Sequence, residues 1–123
     1  MRFNRSSVGV LSDNATLLSW EMSSTTKKLN WNKAKRYCKN LKYGSRDDWK
    51  LPTIYQLKSL IDYKKYNPAT VTNLINIKIS NYYWSSSVDN TDSSLALGIL
   101  FKDGNDGFRK KIDELHVLCV CED

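Results

Sequence analysis

Apolar positions change their period along this chain. Between residues 31 and 41, Trp31, Ala34, Cys38 and Leu41 recur at spacings of three and four, which is one stripe of an α-helix. Asn30 is placed to cap that helix and Gly44 to stop it. A second helical pattern, TIYQLKSLIDYKKY, buries Ile54, Leu57, Leu60 and Ile61, and Thr53 with Gln56 fits a capping box at its start. Between the two patterns lies DDWKLP. Pro52 restricts Leu51 to an extended conformation, so residues 47–52 form a connector whose Trp49 and Leu51 point inward while Asp48 and Lys50 face water.

From Tyr82 the period drops to two. NYYWSSSV is followed by SLALGILFKD, where Leu95, Leu97, Ile99 and Phe101 share one face and Ala96, Gly98 and Leu100 the other. Both faces are apolar, which predicts a central strand. DGNDG at 103–107 is a hairpin signal, and FRKKI and HVLCVC read as the strands after it. The expected class is α+β, two helices first and an antiparallel sheet after, with long loops between.

At 123 residues the chain reads as a single domain, 1–123, with enough length for a real core. No apolar run approaches the roughly 20 residues of a membrane helix, so no membrane insertion is expected. The stretch MRFNRSSVGVLSDN lacks a continuous apolar segment, so either the protein stays inside the cell or a leader has been removed. The formal charge is +6, and its position matters more than its size. Between Glu21 and Asp47 there is no acid, yet Lys27, Lys28, Lys33, Lys35, Arg36, Lys39, Lys42 and Arg46 all fall there. A concentrated excess of this kind makes a local field that attracts polyanions. On the first helix Lys33, Arg36 and Lys39 lie opposite the apolar stripe, with Lys35 and Lys42 near its border.

Candidate chemistry is sparse. Three cysteines and one histidine, with only Cys119 and Cys121 closely spaced, do not supply a zinc site. His116 is the only imidazole available as a base, and on one strand it points away from Cys119. DGNDG lacks the ligand spacing of an EF-hand loop. The odd cysteine count allows one intramolecular bridge and one free thiol, or three reduced cysteines in a reducing compartment. No helix-turn-helix, finger or single-strand-binding motif accompanies the basic segment, which places nucleic acid third among ligands. No cofactor, metal or catalytic residue is expected.

Six blocks in order, DNATLLSW (13–20), WNKAKRYCKNL (31–41), DDWKLPTIYQLKSLID (47–62), YYWSSS (82–87), ALGILFKDG (96–104) and VLCV (117–120), resemble the Lcl C-terminal domain family. That bacterial family is named for a collagen-like surface adhesin. The resemblance spans about nine-tenths of the chain and implies a C-type lectin-like fold, two helices packed on antiparallel sheets, with Trp49 as a core anchor. It also implies a disulfide between Cys38 and Cys119, although Cys121 stands where relatives usually have arginine. The calcium triplets of sugar-binding lectin-like domains are missing, and a copper site like that of the distantly similar formylglycine-generating enzymes would need loops this chain lacks. Tyr82, Tyr83, Trp84 and Trp20 read as framework rather than sugar-stacking platforms. The implied function is a non-enzymatic, adhesin-like module at the cell surface, or extracellular or periplasmic, with a homotrimer among its implied assemblies. It would bind acidic glycans such as glycosaminoglycans through Lys33, Lys35, Arg36, Lys39 and Lys42. The alternative is a structural or protein-recognition domain of the phage and retroelement type, with the loop VDNTDSS (88–94) as its contact surface.

Overall fold

The computed structural model describes residues 2–6, 9–21, 28–72, 77–78 and 80–123. Three short strands come first: β1 (Phe3–Arg5), β2 (Val10–Asp13) and β3 (Leu18–Glu21). Helices α1 (Trp31–Asn40) and α2 (Ile54–Lys58) follow, then β4 (Tyr82–Val88), β5 (Leu95–Leu100), β6 (Asp106–Lys110) and β7 (Val120–Glu122). Two antiparallel sheets result, one in the order β1-β2-β3-β7 and one in the order β4-β5-β6.

This overturns the expected α+β, C-type lectin-like arrangement of two helices packed on a sheet: the fold is mostly β, and its helices are only ten and five residues long. Two physical reasons account for the difference. Strands β1 to β3 are three or four residues each, too short for an alternation to stand out from the sequence. The second apolar run, meanwhile, satisfies its spacing without continuing as a helix. After Lys58 the chain tightens into turns, with Leu60 N–H donating to Leu57 O and Ile61 N–H to Lys58 O, both at 3.0 Å. Ile61 then bridges Thr70, and Val71 N–H donates to Leu60 O at 2.9 Å, so residues read as helix pair with a later segment.

Local signals for the helix starts are realised. Asn30 Oδ1 accepts from Lys33 N–H at 3.0 Å, and Thr53 and Gln56 form the reciprocal capping box. α1 stops earlier than Gly44, at Leu41, whose extended backbone carries its N–H to Cys38 O. Gly44 serves instead a tight turn in which Tyr43 and Arg46 exchange both backbone hydrogen bonds at 3.0 Å. β5 is the central strand of its sheet, as its two apolar faces predict. DGNDG makes the hairpin turn into β6, with Gly104 N–H donating to Leu100 O at 2.8 Å. The terminal strand is shorter than HVLCVC: only its end joins β3, while His116 bridges Tyr83 in parallel.

Two apolar clusters form the core. One gathers Leu11, Trp20, Leu57, Tyr83, Ile99 and Phe101, and the other Trp31, Ala34, Trp49, Leu51 and Trp84. The C-terminal segment alternates between them, Leu118 and Val120 entering the first, Val117, Cys119 and Cys121 the second. A strand buried on both faces must read as an unbroken apolar run, which VLCVC does.

Gly104 provides a test of this packing. Its φ is +82°, and a Cβ there would lie 2.7 Å from Cγ2 of the buried Ile61. Gly104→Ala combines left-handed strain with a clash, so chemical denaturation should show a loss of about 2 kcal/mol.

Candidate functional site

Helix α1 is held down at both ends of its inner face. Trp31 Nε1 donates to Ser85 O at 2.9 Å, and Cys38 is disulfide-bonded to Cys119, with Cα atoms 5.5 Å apart. Trp31, Ala34 and Cys38 are buried, so the polar residues of the helix must face outward. The 47–52 connector is fixed just as firmly. Lys50 exchanges both backbone hydrogen bonds with Val120 at 2.9 Å, and Trp49 Nε1 donates to Tyr43 O at 3.1 Å. As the alternation predicts, Trp49 and Leu51 are buried while Asp48 and Lys50 are exposed.

Between the outer flank of α1 and this connector lies a groove of about 750 Å³. Asn32, Lys35, Arg36 and Lys39 form its helix wall, Trp49 and Leu51 its apolar floor, and Lys50 with Ser86 its far side. Among the described residues, Lys35, Arg36 and Lys39 form no ion pair. Lys50 is bridged to Glu122, and this contact holds the Glu122 carboxyl below its usual range. Gln56 Nε2 also donates to Glu122, at 3.1 Å.

The structure thus brings together three of the five cations predicted from sequence. Lys33 is exposed on α1 outside the groove, and Lys42 lines a separate shallow depression with Arg46 and Asp47. Arg46 is not a free cation: it donates to Asp48 Oδ2 at 3.1 Å and to Asp123 Oδ1 at 2.6 Å, which raises its own pKa. Lys27 lies outside the described residues. Sequence reasoning missed the groove's other side, because Lys50 and Ser86 reach it only through pairing with distant segments. The alternation of Lys50 with two core residues was the one available signal.

The aromatic candidates are framework. Trp20, Tyr83 and Trp84 are fully buried, and Tyr82 lies half-buried with the Arg109 guanidinium 4.0 Å from its ring centroid. The 88–94 loop is largely exposed and internally ordered: Asp89 accepts from Thr91 N–H at 2.9 Å, and Asp92 from Ser94 N–H at 2.9 Å. Among the described residues, no group of three His, Cys, Asp or Glu side chains is placed to hold a metal ion. No helix among them is long and apolar enough to cross a membrane.

A family model for the Lcl C-terminal domain matches residues 9–121. The chain belongs to that family. Among curated proteins, none matches the chain. Two features expected of an Lcl C-terminal domain are present: Trp49 is a core anchor, and Cys38 pairs with Cys119 rather than with Cys121.

Cys121 is the free thiol, and it is buried. Burial first, and then donation of its S–H to Asp48 Oδ1 at 3.2 Å, push its pKa from 9.0 up to about 12. Asp48 is held down to about 2, chiefly by Arg46 and next by this thiol. A folded-state pKa above the unfolded value means that the stabilisation is fully present below pH 9 and is lost as pH rises through about 12. The parent should therefore lose stability over this interval faster than Cys121→Ala does, as paired urea titrations at several pH values will show. Iodoacetamide at pH 8 should label Cys121 only after unfolding.

Proposed function

We propose that this Lcl C-terminal domain is a non-enzymatic, adhesin-like binding module that takes an acidic glycan chain, sulfated or carboxylated, into the groove beside α1. The observation that carries the reading is the composition of that groove. Three cations that form no ion pair among the described residues stand on one wall above an apolar floor, with Lys50 opposite. Ammonium and guanidinium groups supply the Coulomb attraction and the hydrogen-bond donors for sulfate or carboxylate oxygens, and Arg36 can meet such a group with two parallel N–H donors. Trp49 and Leu51 close the bottom of the groove as part of the core, so the contacts with a ligand come from the cations and polar groups of its walls.

A non-catalytic role is supported by the state of the reactive side chains. Cys38 and Cys119 are bonded to each other, Cys121 is a protonated buried thiol, and His116 is only 4% exposed. The Cys38–Cys119 bridge also fits work in an oxidising setting, at the cell surface or outside the cytosol.

Binding of this kind is moderate and salt-sensitive, since the Debye length falls to about 8 Å near physiological ionic strength. Heparin is a suitable sulfated probe. Arg36→Gln combined with Lys39→Gln should weaken heparin binding at least about tenfold at low salt, while Lys33→Gln, outside the groove, should change it less than about twofold. All three sites are exposed, so thermal stability should stay near that of the parent. A loss from Lys33→Gln as large as that from Arg36→Gln or Lys39→Gln alone would show that only net charge matters, and the groove assignment would fail.

A further inference from the structure

The indole ring of Trp31 carries two lysines. The Nζ of Lys35, one helical turn along α1, lies 4.4 Å from the ring centroid, and the Nζ of Lys111, from the turn after β6, lies 4.3 Å from it. The electron-rich ring attracts each ammonium, but it cannot neutralise either of them. Two like charges are therefore held near one another, no farther apart than those two distances together. Among the described residues neither lysine forms an ion pair. Asp92 is the acid whose charge Lys111 influences, yet its Oδ1 is already engaged by Ser94, accepting from the amide at 2.9 Å and the hydroxyl at 2.6 Å.

The backbone around Lys111 is anchored on both sides. Its carbonyl accepts from Trp31 N–H at 3.0 Å, and its N–H donates to Ser94 O at 2.8 Å. The first residue of α1, the turn after β6 and the end of the 88–94 loop thus meet at this point. Lys35 belongs to both places, since it also lines the groove.

We infer that Lys35 and Lys111, seated over Trp31, form a second anion-binding site that takes one sulfate or carboxylate group of the same glycan chain whose neighbouring groups occupy the groove. This rests on the glycan-binding reading above and adds a residue from outside the acid-free segment. The ring holds the two ammoniums in place before the ligand arrives, so less side-chain freedom is lost on binding than with two free surface lysines. An oxyanion within reach of both ammoniums supplies a direct ion-pair partner, which neither lysine has among the described residues. The chain's path is then set as well, running from the groove past Lys35 toward the 88–94 loop.

Lys111→Gln tests the site, because the backbone contacts of residue 111 do not involve its side chain. Lys110→Gln, one residue away on β6 and exposed, removes the same formal charge and serves as the control. Heparin affinity measured by calorimetry at low salt should fall about fivefold for Lys111→Gln and less than twofold for Lys110→Gln. Adding Lys111→Gln to Lys35→Gln should cost less than it does alone, since the two lysines serve one group. A parent protein that does not bind heparin overturns the glycan reading and this site with it. A parent that binds, with Lys111→Gln and Lys110→Gln equally affected, overturns this site alone.

Discussion

Backbone pairing by the last nine residues holds the two sheets, the first helix and the connector in one arrangement. Leu115 exchanges hydrogen bonds with Leu29 just before α1, and His116 inserts between Tyr82 and Trp84 of β4. Cys119 O accepts from Glu21 N–H while its sulfur bonds to Cys38 of α1. Val120 pairs with Lys50 of the connector and with Trp20 of β3. A backbone N–H or C=O withdrawn from water without a partner costs on the order of 1–3 kcal/mol, so each pairing is needed once the segment is buried. From His116 to Cys121 its side chains are buried on both sides. The segment can occupy this position only if every neighbour is in place.

The groove follows from that constraint. β7 draws the connector to one side, and the disulfide draws α1 to the other, closing a loop of 81 residues that removes roughly 4 kcal/mol of freedom from the unfolded chain. What remains between them is a groove whose floor is formed by the buried core residues Trp49 and Leu51. Its walls are the outward residues of each element. On α1 the inward positions are taken by Trp31, Ala34 and Cys38, which leaves Lys35, Arg36 and Lys39 outward. Asp48 of the connector and the two C-terminal acids are engaged by other side chains. Asp48 and Asp123 are bound to Arg46, and Glu122 to Lys50 and Gln56.

Tryptophan serves both core and surface in this arrangement. Trp31, Trp49 and Trp84 each donate an indole N–H to a backbone carbonyl, at Ser85, Tyr43 and Leu29 respectively, so the rings are fixed by a polar contact as well as by packing. Trp49 then closes the floor of the groove, and Trp31 offers a ring to two lysines. Membership in the Lcl C-terminal domain family is consistent with a binding role, and the mostly β architecture shows how such a surface is built with very little helix.

Local physics made much of this protein legible in its sequence. The caps at Asn30 and Thr53, the inward stripe of α1, the alternation at Trp49 and Leu51, the central strand β5 and the turn at DGNDG each depend on residues close together in the chain. The acid-free segment likewise located Lys35, Arg36 and Lys39. Only the tertiary structure decided what those elements became. Strands of three and four residues are too short for an alternation to show, so β1 to β3 left little periodic trace although β1–β2 and β2–β3 pair locally. The apolar spacing of Leu60 and Ile61 suits a helix, but pairing with Thr70 and Val71 drew them out of it. Charge counting could not separate Arg46, neutralised by Asp48 and Asp123, from the free cations of α1. Nor could it join Lys50 to them, because that residue reaches the groove through backbone contacts with Val120, and such long-range pairing has no local signature.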